Sequence, residues 1–233
     1  MQTLQPDFVI IIDKPLDWTS FDVVNRLKVH IKKNYPDFKN IKIGHAGTLD
    51  PLATGVLVVC FGKATKRIEK MQDTKKEYTG SFILGATTPS YDLETEIDKT
   101  FAIDNINEKN IYAVAKKFIG EQLQTPPVFS AKKINGVRAY EHAREGTTVK
   151  MRQNLIEIFE FDITKIELPR VDFRIVCSKG TYIRSIAYDF GKKLNNGAYL
   201  AKLCRTKSGD AIIENSCSLN EALANIEIQL KKD

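Results

Sequence analysis

Apolar residues recur along the chain with two periods. Phe8–Ile12 and Val56–Phe61 are short unbroken apolar runs, each read as a buried strand. Val171, Phe173, Ile175 and Cys177 alternate with polar neighbours, as a half-buried strand does. Glu77–Leu84 reads as a strand, and Ile156, Ile158, Phe161 and Ile163 as strands with a bulge. Helical spacing links Val24, Leu27 and Ile31, behind a capping box of Thr19 and Asp22. It recurs at Ile111, Val114, Ala115 and Phe118, where Gly120 stops it, and at Ile183, Ile186, Ala187, Phe190 and Leu194, which Gly180 opens. Ser218 and Glu221 form a second capping box before Leu219, Ala222, Leu223 and Ile226. Short helices are predicted over Lys63–Gln72 and Tyr140–Arg144.

The connections carry their own signals. Asp13–Trp18 and Ser208-Gly209-Asp210 read as turns, Asn34–Asn40 as a polar loop, and Thr125-Pro126-Pro127 as extended chain. Asn135-Gly136 is a two-residue hairpin signal. A strand starting at Lys42–Ile43 is predicted to break at Gly44, where a structured loop runs to Gly55. Residues 85–105 read as an exposed acidic loop or insertion. Strands and helices mix without regular βαβ units, which predicts an α+β fold with a largely antiparallel sheet. No repeat or convincing linker divides the 233 residues, so one domain over 1–233 is expected.

Composition narrows the function classes. With 42% hydrophobic and 27% charged residues the chain is globular, not disordered or collagen-like. No apolar run approaches the ~18 residues of a membrane span, and without a basic stretch followed by an apolar one at the N-terminus no secretory signal is expected. Cys60, Cys177, Cys204 and Cys217 form no C-x-x-C pair and stand apart from His30, His45 and His142, so neither a zinc site nor any other metal is expected. Free thiols fit a reducing, cytoplasmic compartment.

The net charge of +6 permits a polyanionic partner. Basic residues gather at Lys63, Lys66, Arg67 and Lys70, at Lys132, Lys133, Arg138 and Arg144, and at Lys202, Arg205 and Lys207. One such cluster is usually a solvated face; three, beside glycines and aromatics, point towards nucleic acid.

The segment Gly44-His45-Ala46-Gly47-Thr48-Leu49-Asp50-Pro51-Leu52-Ala53-Thr54-Gly55 is the most informative. Its glycines permit close backbone approach, and the proline biases Asp50 towards extended backbone. Asp50 reads either as a loop cap or as a functional carboxylate. No phosphate-binding P-loop pattern is present. Cys177–Arg184 marks a strand end, a glycine turn and a helix start, placing Arg184 in a first turn, where a cation is better tolerated if it meets an anion. Asp50 is one carboxylate that would serve. Tyr78, on a strand, reads as core packing or as a site residue. Between Thr125 and Arg144, Phe129 and Tyr140 are interleaved with basic residues, a mixture that suits RNA.

These segments, with Asp13-Lys14-Pro15, Thr19-Ser20, Lys76-Glu77-Tyr78, Pro126-Pro127, Ser130–Lys133, Gly136, Arg138–Tyr140, Ala143-Arg144, Gly180–Arg184 and Leu203, resemble the TruB family of tRNA pseudouridine-55 synthases, in the family's order over most of the chain. The resemblance implies a pseudouridine synthase fold with a central catalytic cleft and flanking helices, and an RNA-gripping insertion around 120–150. It implies a catalytic Asp50, paired with Arg184, and a Tyr78 that stacks on the target base and takes part in catalysis. His45 would help fill the space left by the flipped nucleotide, Tyr182 and Leu203 would line the uracil pocket, and Lys14 and Lys132 would meet the substrate. The partner implied is the T-arm stem-loop of tRNA, bound by a monomer without a cofactor. Asp50 would act as nucleophile at C1′ or as base at C2′.

Some positions depart from the family pattern. Asp17 stands where glycine is common, Tyr199 where histidine is common, and Cys204 where arginine is frequent. The C-terminal RNA-binding domain of many bacterial relatives, a PUA-type domain, is not expected in this chain. Two rivals share parts of the pattern. An RNA-binding module without turnover would use the same basic and aromatic residues but would not need Asp50, Tyr78 and Arg184 together. A glycoside hydrolase normally needs two carboxyl groups flanking the bond, and the best loop offers one.

Overall fold

The computed structural model describes residues 6–130, 133–134, 137–138 and 151–230, the two middle pairs as backbone only. The chain forms two compact units, Met1–Tyr78 with Leu203–Asp233, and Thr79–Lys202.

The first unit is built on β1 (Asp7–Lys14) and β3 (Ala53–Gly62), antiparallel from Asp7↔Gly62 to Lys14↔Gly55. Their unbroken apolar runs follow from burial on both faces. One face, with Ile10, Ile12, Leu57, Val59 and Phe61, packs with Val23, Val24, Leu27 and Ile31 of helix α1 (Ser20–Asn34) and with Ala222, Ile226 and Leu230 of the last helix (Leu219–Leu230). The other face packs Val56, Val58 and Cys60 with Ala46 and Ala64. Both predicted capping boxes form. Asp22 N–H donates to the Thr19 hydroxyl at 3.0 Å and Thr19 N–H to the Asp22 carboxylate at 2.9 Å. Ser218 N–H donates to Glu221 at 2.7 Å.

The far edge of β3 is shared by two strands. β2 (Ile43–His45) pairs antiparallel with Val59–Phe61, continuing through Gly44 where a break was expected. At Ala53–Gly55 the partner is β12 (Ala198–Ser208), parallel in the register Leu203↔Ala53 to Arg205↔Gly55. β12 lies where the hydrophobic pattern predicted no strand. Between these partners, Val58 O of β3 accepts from Ala46 N–H at 2.9 Å. The predicted turn at Gly209 joins β12 to β13 (Ala211–Ile212). The expected turn at Asp13–Trp18 starts two residues late, because Asp13 and Lys14 stay in the β1 ladder opposite Val56 and Gly55.

The second unit orders its strands β4–β11–β10–β7: β4 (Lys76–Leu84), β11 (Arg170–Cys177), β10 (Asn154–Glu167) and β7 (Gly120–Gln124). β10 is a single strand with two irregularities of register, at 158–160 and 163–165, which accounts for the expected bulge. Helices Glu108–Lys116 (α3) and Ile183–Lys193 (α4; α2 is Ile68–Gln72, and the last helix is α5) help enclose an aromatic core of Phe82, Phe118, Phe161, Phe173 and Phe190. Residues 85–105 are not simply an exposed loop. Thr88, Ser90 and Asp92 are buried, and β5 (Ala86–Thr87) pairs with β6 (Lys99–Thr100). β8 (Lys133–Ile134) and β9 (Val137–Arg138) pair antiparallel on either side of the predicted Asn135-Gly136 turn. That turn, Lys132, and the helix expected over Tyr140–Arg144 lie outside the described residues, as does much of the expected insertion. The architecture is α+β with mainly antiparallel pairing.

Candidate active site

Within the first unit, the segment from Ala46 to Leu52 has few ladder hydrogen bonds of its own. Ala46 N–H reaches Val58 O at 2.9 Å and Ala53 N–H closes a turn on Asp50 O at 3.1 Å. Side chains from three other elements add further contacts. Ser20, at the start of α1, accepts from Leu49 N–H at 2.8 Å and donates to Leu49 O at 3.1 Å. Arg205 of β12 donates through Nε to Val56 O at 2.8 Å and through Nη2 to Gly47 O at 3.0 Å, with Nη1 at 3.5 Å from Thr48 O. Lys14, at the end of β1, donates through Nζ to Pro15 O at 2.8 Å, to Trp18 O, and to Pro51 O at 3.3 Å. Pro51 O also accepts from Asp17 N–H at 2.9 Å. Asp50 sits half-buried in the middle of this set.

The backbone of the segment is shaped for these contacts. Gly47 has φ +101°, and a Cβ there would stand 3.4 Å from Arg205 Nη1. Gly55 has φ +99°, and a Cβ there would lie 2.3 Å from the Arg205 carbonyl, so only glycine allows β3 and β12 to approach here. Asp13 accepts from Gly55 N–H at 3.0 Å.

The sequence counted Arg205 in a surface basic cluster, yet it is 1% exposed, and Lys14 is 0% exposed. Both direct their N–H groups onto the protein's own carbonyls. Burial lowers the Lys14 ammonium from its ordinary 10.5 to about 8, against the pull of Asp50 first and then Asp17, Asp13 and Asp22. His45 is lowered by burial and then by the Arg205 charge, with the Gly47 backbone opposing both, and its buried Nδ1 has no hydrogen-bond partner among the described residues. Leu203 O accepts from the Thr54 hydroxyl at 3.4 Å, so Lys14, His45, Asp50 and Leu203 all bear on this one segment. Tyr78 is buried on β4. Its neighbours hold the start of that strand: Lys76 donates to Gln72 O at 2.6 Å and to Thr74 O at 2.7 Å, while Glu77 accepts from Thr206 at 2.8 Å.

In the second unit, α4 begins at Ile183, with Tyr182 as its N-cap residue and Arg184 in its first turn. Gln124 clasps Tyr182, accepting from its N–H at 2.8 Å and donating to its carbonyl at 3.0 Å. Ser185 donates to Thr125 O at 2.8 Å. Arg184 is buried, with Nε 3.5 Å from Asp92 Oδ2 and Nη1 donating to Phe129 O at 2.8 Å. Asp92 also accepts from Glu94 N–H at 3.0 Å, and the Thr88 and Ser90 hydroxyls donate to its carbonyl. Sequence reasoning sought an anion for Arg184 but passed over Asp92, because it stood inside an acidic stretch read as solvent-exposed. Among the described residues, no cluster of His, Cys, Asp and Glu could hold a metal, and no helix is long and apolar enough to cross a membrane.

Residues 33–183 match the family description TruB family pseudouridylate synthase (N terminal domain). The tRNA pseudouridine synthase B of Flavobacterium johnsoniae is 56% identical over 211 residues, covering 91% of this chain and 92% of that one. The protein of the same name from Phocaeicola vulgatus is 50% identical over 211 residues, covering 91% and 89%. Among solved structures, a Cbf5-Nop10-Gar1 complex aligns with TM-score 0.70 at 28% identity, over 98% of this chain and 56% of that one. An H/ACA RNP bound to a substrate RNA containing 2′-deoxyuridine aligns with TM-score 0.68 at 27% identity, over 96% and 55%. The chain therefore spans about half the length of those two solved chains. With the family description matched over residues 33–183, and with the two tRNA pseudouridine synthases B 56% and 50% identical over 92% and 89% of their own lengths, the chain belongs to the TruB family of pseudouridylate synthases.

Proposed function

We propose that the chain isomerises a uridine in the T-loop of tRNA, at position 55, to pseudouridine. The N1–C1′ bond breaks, the uracil turns, C5 bonds to C1′, and the proton lost from C5 is balanced by one gained at N1. The relative that is 56% identical over 92% of its own length is named for pseudouridine synthesis in tRNA, and this carries the substrate assignment. Asp50 is the catalytic carboxylate in this reading. It is half-buried, on a segment whose neighbouring carbonyls are tied down, which suits a group that must meet one ribose carbon in one orientation.

Asp50 attacks C1′, or removes a C2′ proton and returns it; both routes conserve the substrate's atoms and need no cofactor. Arg184 serves in this reading as the cation for the Asp50 carboxylate, Tyr78 packs on the uracil and helps move a proton, and Tyr182 and Leu203 line the pocket. His45 occupies the space vacated by the flipped nucleotide, whose extrusion costs a few kcal/mol. Lys132 meets the RNA, and Lys14 contributes by fixing the carbonyl that follows Asp50. The protein acts in the cytoplasm as a monomer on the T-arm stem-loop. Its grip comes from the catalytic domain and the 120–150 insertion.

The test is Asp50→Asn under single-turnover conditions, with tRNA binding measured in parallel. The amide is nearly isosteric but is neither a comparable nucleophile nor a comparable base. Pseudouridine formation should vanish while binding persists. Activity within a few-fold of the parent would overturn the assignment of Asp50.

A further inference from the structure

We propose that Ser20 and Arg205 are positioning residues for the reaction: together they fix Gly47–Leu49 from two sides and thereby aim the Asp50 carboxylate. The inference rests on the reading of Asp50 as the catalytic group. Its basis is the unusual way the backbone of this segment is satisfied. Buried peptide groups are ordinarily paired in ladders or helices. Here the carbonyls of Gly47 and Thr48 face one buried guanidinium, and both polar groups of Leu49 face one buried hydroxyl. Ser20 is 1% exposed and Arg205 is 1% exposed, so the side-chain end of each contact is shielded from water.

The two residues arrive from different elements. Ser20 opens α1, and Arg205 lies on β12 opposite Gly55, with its Nε anchored on Val56 O. Asp50 is the next residue after the one Ser20 holds. Its own carbonyl closes the turn onto Ala53. The peptide that carries the carboxylate is thus fixed before and after, and its side chain has little backbone freedom left to lose on reaching the transition state. A guanidinium suits this task, because its planar fork reaches Val56, Gly47 and Thr48 with directed N–H groups, which an ammonium cannot reproduce. Burial, and after it the charge of Arg205, lowers the pKa of His45 beside the segment.

A displacement of about 1 Å at a reacting group can cost roughly 100-fold in rate without weakening binding. The experiment compares Ser20→Ala, Ser20→Thr, Arg205→Lys and Asp50→Asn in full-length protein. It measures the single-turnover rate at saturating tRNA, the tRNA dissociation constant and the melting temperature. Ser20→Ala should slow the chemical step about 10-fold or more and leave the dissociation constant within about threefold. Ser20→Thr, which keeps the hydroxyl, should recover most of that rate. Arg205→Lys should slow the step by about 100-fold. A general loss of folding would lower the melting temperature of both Ser20 variants together and would not separate Ala from Thr.

A parental rate in folded Ser20→Ala overturns the proposal, and so does a loss confined to binding. If Arg205→Lys does not fold, the Ser20 pair decides alone. Asp50→Asn separates the two layers. An inactive Asp50→Asn with a parental Ser20→Ala removes the positioning role and leaves the reading of Asp50 standing. An active Asp50→Asn removes that reading itself.

Discussion

The two units hold their key buried cations in opposite ways. In the first, Lys14 and Arg205 point their N–H groups at neutral carbonyls around Asp50. In the second, Arg184 lies against a buried carboxylate, Asp92, and adds a carbonyl, Phe129 O. Carbonyls offer direction without cancelling charge, so the first arrangement fixes backbone geometry and keeps a positive field near the segment. A carboxylate offsets much of the charge it faces, so the second holds a buried arginine in place at the start of its helix. One unit thus immobilises a loop and the other stabilises a charge.

The contrast is broken most severely at the charge pair. Asp92→Asn leaves Arg184 buried with its carboxylate replaced by an amide. Removing one partner of a buried pair typically costs about 3–5 kcal/mol. The expected outcome is a stability loss at the upper end of point-mutant effects, measured by chemical denaturation, with slower catalysis in whatever fraction stays folded. Arg184→Lys should retain more stability, yet turn over about 100-fold more slowly, because an ammonium cannot hold a carboxylate in one plane. Near-parental turnover in folded Arg184→Lys would show that orientation at Arg184 does not matter.

The first unit predicts a smaller effect of a different kind. Gly47 is left-handed, at φ +101°. Gly47→Ala would strain that conformation by about 1–2 kcal/mol and press a methyl group towards the Arg205 fork. Stability should fall by about that amount. The rate at saturating tRNA should fall further than in a control, Gly180→Ala, whose φ is also positive, at +76°, but whose added Cβ meets nothing. Equal loss of rate in the two variants would mean that the segment around Asp50 has no special demand on its shape.

What the sequence made legible follows from which interactions are local. The capping boxes at Thr19 and Ser218 form because both partners lie within one helical turn. The alternation of β11 is visible because each buried side chain is apolar. β12 escaped because its inward side chains include Arg205, which a hydrophobic count scores as surface, and because Lys202 and Lys207 read as a charged face. Asp92 escaped for the same reason, since its burial depends on an arginine far along the chain. Both of the residues missed are charged groups buried by partners distant in sequence, and neither composition nor periodicity carries that information. Lys14 is intermediate. Its motif marked it, yet only the fold shows its ammonium turned inwards onto Pro15, Trp18 and Pro51.

The smallest effect expected is a pH dependence of stability traceable to Lys14. Its ammonium sits at about 8 in the folded chain, lowered from 10.5 because burial disfavours the charged form. Below about pH 8 the folded and unfolded chains both hold this proton, so the group contributes no slope. Between about pH 8 and about 10.5 the unfolded chain holds the proton and the folded chain does not. The unfolded state then binds more protons, and the unfolding free energy contributed by this group rises with pH. Lys14→Met removes the group along with its hydrogen bonds, so the variant is less stable throughout but lacks this rise. The measurement is the unfolding free energy of parent and variant at pH 8 and pH 10, where the other titrating groups cancel in the difference. Parent minus variant should grow by on the order of 1 kcal/mol across that interval, within the ceiling of about 1.4 kcal/mol per pH unit for one group. A difference that stays flat would mean that the Lys14 ammonium keeps its proton as readily in the folded chain as in water. One that shrinks would mean that its attraction to Asp50 outweighs its burial, and Lys14 would then resemble Arg184 in its pairing rather than Arg205 beside it.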